Sequence, residues 1–146
     1  MKIIGTVTPV AHGTARVRNK KIAPLLCRYL PELGEFDLGT LNLRVVHPPS
    51  LKIRKLFSPA RTVVPVPKTT YRWRKRPIRA EKISFIPVIF SSGGKIVREE
   101  GFLYIASRSS RPRKGILELM SRKNLRKEYG IEDGDEVEIE VMTKSE

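Results

Sequence analysis

The chain has 146 residues and a formal net charge of +14, with one cysteine and two histidines. That length holds a single domain with a small core, no apolar run nears the ~18 residues that span a bilayer, and Met1-Lys2-Ile3-Ile4-Gly5 does not open a signal peptide, so a cytoplasmic monomer without membrane contact is expected. Cys27 alone excludes an internal disulfide, and with only His12 and His47 beside it a zinc site is not expected. Residues 2–8 then read as a first strand, and 9–16 as a loop of small residues in which Gly13 permits close backbone approach and Arg16 can fork onto a phosphate. Ile22, Leu25, Leu26, Tyr29, Leu30 and Leu33 recur at helical spacing, with Pro24 in the first turn, so a short amphipathic helix ends before Gly34 and keeps Cys27 in its core face.

Gly39 turns the chain into a second strand over 40–47, where Leu41, Leu43 and Val45 alternate with Asn42 and Arg44 until Pro48-Pro49 stops it. Thr40 and Asn42 share one face of that strand, two short oxygen-bearing side chains where a strand is usually apolar or charged, which points to a small polar site. Ile83 to Phe90 is an apolar strand whose Pro87 requires an edge or a bulge, followed by a hairpin turn at 91–94. Strands over 102–106 and 116–120 follow, the latter with Glu118 in its middle. Ser121 is placed to cap a helix over 122–129 that Gly130 ends. Asp133-Gly134-Asp135 turns into a last strand carrying Val137, Ile139 and Val141. Short strands with two small helices and no βαβ rhythm predict a mainly β barrel.

Gly39-Thr40-Leu41-Asn42-Leu43, the loop at 11–16, and a Leu-Arg helix followed by Asp-Gly-Asp resemble the archaeal CTP-dependent riboflavin kinases, over roughly 3–47 and 83–141, with 48–82 set apart as a divergent basic insertion. The resemblance implies a six-stranded cradle-loop β-barrel with short helices, formed by residues 1–146 as one domain. It also implies a reaction: riboflavin plus CTP gives FMN and CDP. It assigns nucleotide contacts to Ala11, His12, Gly13, Thr14, Ala15 and Arg16, with alanine at 11 and 15 where the family has glycine, and to Lys123, Asn124, Leu125 and Arg126. It places Ser110 and Glu118 at the flavin and makes Thr40 and Asn42 ligands of a magnesium ion arriving with the nucleotide. No general base is evident, and phosphoryl transfer rests on positioning and charge neutralisation, which need none. Neither a Walker sequence nor a protein-kinase glycine-rich loop is present, which excludes the two common classes of ATP-dependent kinase.

A rival reading starts from charge. Residues 1–80 carry 17 Lys/Arg against 3 Asp/Glu, whereas 81–146 carry 12 of each, the footprint of an anionic partner. Arg72-Trp73-Arg74-Lys75-Arg76-Pro77-Ile78-Arg79 combines five cations with an aromatic ring, as a contact that tracks a backbone and stacks on bases would. On this reading the chain is a small basic β-barrel nucleic-acid-binding module. The expectation for a kinase is weak, sequence-independent nucleic-acid binding through 72–79.

Overall fold

An aliphatic face runs along nearly every strand, and it builds a barrel with two distinct faces. The computed structural model describes residues 1–9, 23–31, 39–58, 62–68, 80–107 and 111–142. The strands are β1 (Lys2–Thr8), β2 (Gly39–His47), β3 (Thr62–Val66), β4 (Glu81–Ser92), β5 (Ile96–Ala106), β6 (Ile116–Ser121) and β7 (Glu136–Val141). Among the described residues three short helices accompany them: α1 (Ala23–Tyr29), α2 (Ile53–Leu56) and α3 (Leu125–Tyr129). A 3-10 turn over Arg111–Lys114 leads into β6.

Six strands close in the order β4-β5-β6-β2-β1-β7, with β7 returning to β4, and every pairing is antiparallel. The six strands expected from the sequence are the six of the closed barrel. β5 begins at Ile96, well before the expected 102, because the hairpin with β4 is longer than its apolar part. β3 was not foreseen: Pro65 breaks the look of a strand, yet Thr62–Val66 pairs with the first half of β4 as an outlying seventh strand.

Pro87 sits where the neighbour of β4 changes from β3, whose register ends at Phe85, to β7, whose register begins at Val88. Its carbonyl accepts from Met142 N at 3.3 Å, so its nitrogen faces the same seam, where no described strand residue is registered opposite it. The edge character expected of Pro87 is therefore local to that junction.

The interior is aliphatic. Leu41 and Leu43 of β2, Leu117 and Leu119 of β6, Leu103 of β5, Val88 and Phe90 of β4, and Ile139 of β7 fill it, with Ile53 and Phe57 closing one end from α2. A second apolar layer lies outside the wall, where Leu26 and Leu30 at α1 pack over Val64, Phe85, Tyr104 and Met120. Segment 48–82 thus contributes to both layers. Cys27 is half-buried rather than in the core, because Leu26 and Leu30 take the inward positions of α1.

Candidate active site

Register decides which side chains meet on the outer face. Asn42 is opposite Thr8 on one side and Glu118 on the other, and Glu118 is opposite Tyr104, which is opposite Phe85. Directly opposed residues in an antiparallel sheet project to the same face, with Cβ atoms about 5 Å apart. A polar row, Thr8-Asn42-Glu118, therefore runs into an aromatic one. Tyr104 stacks on Phe85 at 5.9 Å between centroids, and Phe102 meets Phe85 edge-on at 6.2 Å. Asn42 and Glu118 are each only 6% exposed. One strand position along, Thr40 is opposite Met120, which is opposite Phe102.

Burying a carboxylate and an amide on the outer wall of a barrel is costly without polar partners. Glu118 is neither the solvent-facing glutamate that alternation alone would allow nor a core residue. Thr40 and Asn42 stand on the same face, with Leu41 and Leu43 turned into the barrel, as the alternation required. Their two neutral hard oxygens are chemically suited to magnesium, which retains waters and takes further oxygens from a phosphate chain. The described residues contain no group of three or more His, Cys, Asp or Glu that could hold a metal on its own.

The segment after β6 differs from expectation at its start. Ser121 closes the strand and its Oγ accepts from Lys123 N at 3.2 Å, while Asn124 caps the helix by accepting from Lys127 N at 3.3 Å. The helix is consequently one turn, Leu125–Tyr129, ended as foreseen by Gly130 at φ 66°. So short a helix has little dipole to attract an anion, and the local cations are what remain for that purpose. Leu125 is buried in the barrel core, which leaves only its backbone to face a ligand.

Arg126 ties this segment to the end of β1. Its Nη2 donates to Thr8 O at 3.1 Å and to Asp133 Oδ1 at 2.7 Å. Thr8 Oγ1 in turn donates to Asn42 O at 3.2 Å. Arg126 Nε is buried and finds no acceptor among the described residues. Residues 11–16, Ser110 and the basic stretch 72–79 lie outside the described residues.

Three residues that sequence reasoning missed complete the picture: Tyr104, Glu99 and Tyr129. Lys123 Nζ donates to Glu99 Oε1 at 2.8 Å and to Tyr129 OH at 2.9 Å, and Tyr129 OH donates to the same carboxylate oxygen. Desolvation pushes the Glu99 carboxyl up, but the hydrogen bonds from Lys123 and Tyr129 outweigh it and hold the group below its ordinary range. The same contacts, that to Glu99 first, raise Lys123.

A folded-state value below the unfolded one means that this contribution to stability is complete above the ordinary glutamate value, about 4.3, and is lost as pH falls through the lowered one. The melting temperature of Glu99→Gln should accordingly lie below that of the parent by a constant amount from neutral pH down to that value. The gap should close only in stronger acid, as paired thermal melts across pH would record. A gap that does not change in acid would show that the ion pair is not its source.

Beside this end of the barrel opens a cavity of about 730 Å³, lined by Tyr29, Leu30, Phe102, Arg98, Glu99 and Arg122 among others. Its volume is in the range of small-molecule sites. No described helix is long and apolar enough to cross a membrane.

No curated protein matches the chain. A family model labelled CTP-dependent riboflavin kinase, with the description "Domain of unknown function DUF120", matches residues 36–141. Because that match covers most of the chain and contains Thr40, Asn42, Tyr104, Glu118 and the Lys123–Arg126 segment, the chain belongs to the CTP-dependent riboflavin kinase family.

Proposed function

We propose that the chain is a CTP-dependent riboflavin kinase, acting as a cytoplasmic monomer in which residues 1–146 form one barrel domain. The observation that carries this reading is the buried outer-face row of Asn42 and Glu118, running into Tyr104 and Phe85 inside the family match. A flavin needs an apolar surface for its ring and acceptors for its ring N–H and ribityl hydroxyls, and this row offers both. In the reaction the riboflavin 5′-hydroxyl oxygen forms a bond to the γ-phosphorus of CTP, the bond from that phosphorus to the β–γ bridging oxygen breaks, and CDP leaves. The hydroxyl proton is released.

Glu118 and Ser110 hold the flavin in this proposal, Glu118 orienting the attacking hydroxyl or accepting from the ring. Residues 11–16, with Lys123, Asn124, Arg126 and the Leu125 backbone, hold the nucleotide. Support comes from Arg126, which clasps Thr8 at the end of β1 and keeps an Nε–H donor that a phosphate oxygen would satisfy. Thr40 Oγ1 and Asn42 Oδ1 would hold magnesium, which when bound neutralises charge on the phosphate chain.

The test is direct. Purified protein incubated with riboflavin and each nucleoside triphosphate should form FMN readily with CTP and much more slowly with ATP. Absence of FMN with every triphosphate, over a range of temperatures and divalent metals, sinks the proposal.

A further inference from the structure

Arg44 is the charged side chain that β2 adds to the face of Thr40 and Asn42, and the reaction as described leaves it without a role. Residues two apart on a strand stand about 7 Å from each other, so an arginine at 44 has the length to reach the space in front of Asn42. Two carboxylates share its face: Glu118 lies diagonally across on β6, and Glu136 is in line with it through Thr6. Elsewhere on the barrel such neighbours pair, Lys2 with Glu138, Lys95 with Asp135, Lys123 with Glu99 and Arg126 with Asp133, at 2.7–2.8 Å. Arg44 pairs with neither of its acids. It is exposed and makes no hydrogen bond or ion pair to any described residue.

The antiparallel pair of β2 and β6 sets the candidate site out along one line. Gly39 is opposite Ser121, next to the segment 123–126 taken to hold the nucleotide. Thr40 and Asn42 follow, with Asn42 opposite Glu118, the residue taken to hold the flavin. Arg44 comes last, opposite Ile116, where the turn Arg111–Lys114 leads into β6. A phosphoryl group passing from the nucleotide to the flavin therefore moves toward Arg44.

We propose that Arg44 is a further catalytic residue, whose guanidinium holds the transferring phosphoryl group from the riboflavin side and then the phosphate of FMN; this rests on the riboflavin kinase reading above. As the bond from the riboflavin 5′-oxygen to the γ-phosphorus forms, the bond to the β–γ bridging oxygen breaks, CDP leaves with that electron pair, and the hydroxyl proton passes to water. Negative charge is spread over the three equatorial oxygens during the transfer. A forked cation bound to no carboxylate can meet two of them without first breaking an ion pair. Lysine, a point charge, does this less well.

The experiment compares the parent with Arg44→Gln, Arg44→Lys and, as a control for loss of charge outside the site, Lys52→Gln, an exposed lysine beyond the end of β2. Steady-state kinetics are measured for both substrates, and the quenching of flavin fluorescence gives the affinities for riboflavin and for FMN separately, without nucleotide. Arg44→Gln should lower kcat about 100- to 1,000-fold with the KM for CTP little changed. It should weaken FMN about tenfold or more, while riboflavin, which has no phosphate, binds as to the parent. Arg44→Lys should recover part of the FMN affinity and less of kcat, and Lys52→Gln should match the parent. The proposal falls if Arg44→Gln keeps the parental kcat, if it weakens riboflavin and FMN equally, or if Lys52→Gln loses as much. A parent that binds no flavin and forms no FMN removes the kinase reading and the role of Arg44 with it. A parent that forms FMN beside an equally active Arg44→Gln removes the role of Arg44 alone.

Discussion

Glu118→Gln should reduce flavin use by about 10- to 100-fold in kcat/KM for riboflavin while nucleotide binding stays nearly unchanged. The size follows from hydrogen bonds to a charged group, worth about 1.5–3 kcal/mol, removed from a site that excludes water. Glutamine preserves the volume of the side chain and one acceptor oxygen, so the packing of Tyr104 and Phe85 beside it should survive and the melting temperature should change little. Steady-state kinetics with riboflavin varied at saturating CTP, and the reverse, separate the two substrates. A variant that keeps riboflavin affinity but loses CTP binding would move Glu118 to the nucleotide. One that keeps full activity but melts earlier would make the carboxylate a structural feature of the outer wall.

Most of the barrel was legible because one face of nearly every strand is aliphatic, and alternation of that kind fixes both the strand and its inward side. Val137 and Ile139 with Glu136, Glu138 and Glu140 between and beside them, or Leu41 and Leu43 around Asn42, leave no second register that buries the right residues. β3 was missed because its Thr-Val-Val-Pro-Val sequence contains a residue that a central strand rejects, and only an outlying strand on half of β4 accommodates it.

The start of α3 was misplaced for a related reason. Ser121 and Asn124 are both good caps three residues apart, and the choice between them is made by how far β6 stays paired, since Gly39 opposite Ser121 prolongs the strand. The site was legible as a set of residue types and illegible as a constellation. Nothing in the sequence states that Asn42, Glu118 and Tyr104 are neighbours, because their pairing is a long-range consequence of barrel closure. Likewise Lys123 reads as a solvated cation until the β4–β5 hairpin brings Glu99 to it.

Asn42→Ala should lower kcat/KM by about 10- to 100-fold at limiting magnesium, on the order of 1–3 kcal/mol for one oxygen removed from the reacting complex, and raised magnesium should recover part of that activity. Truncation alone does not distinguish a missing metal ligand from a missing hydrogen bond in the wall, so Asn42→Asp is the informative partner. That change keeps an oxygen at the same place and adds a negative charge directly across from Glu118, its cross-strand neighbour. Without metal, two carboxylates opposed on one face repel, and the apo protein should melt earlier than the parent. With magnesium the added charge strengthens the site, so the rise in melting temperature on adding magnesium should be larger than in the parent, and activity should exceed that of Asn42→Ala. If Asn42 is only structural, magnesium will raise the melting temperature of parent and Asn42→Asp alike, and Asn42→Ala will keep the parental metal dependence. Either result removes Thr40 and Asn42 as the metal pair, whether or not FMN is formed.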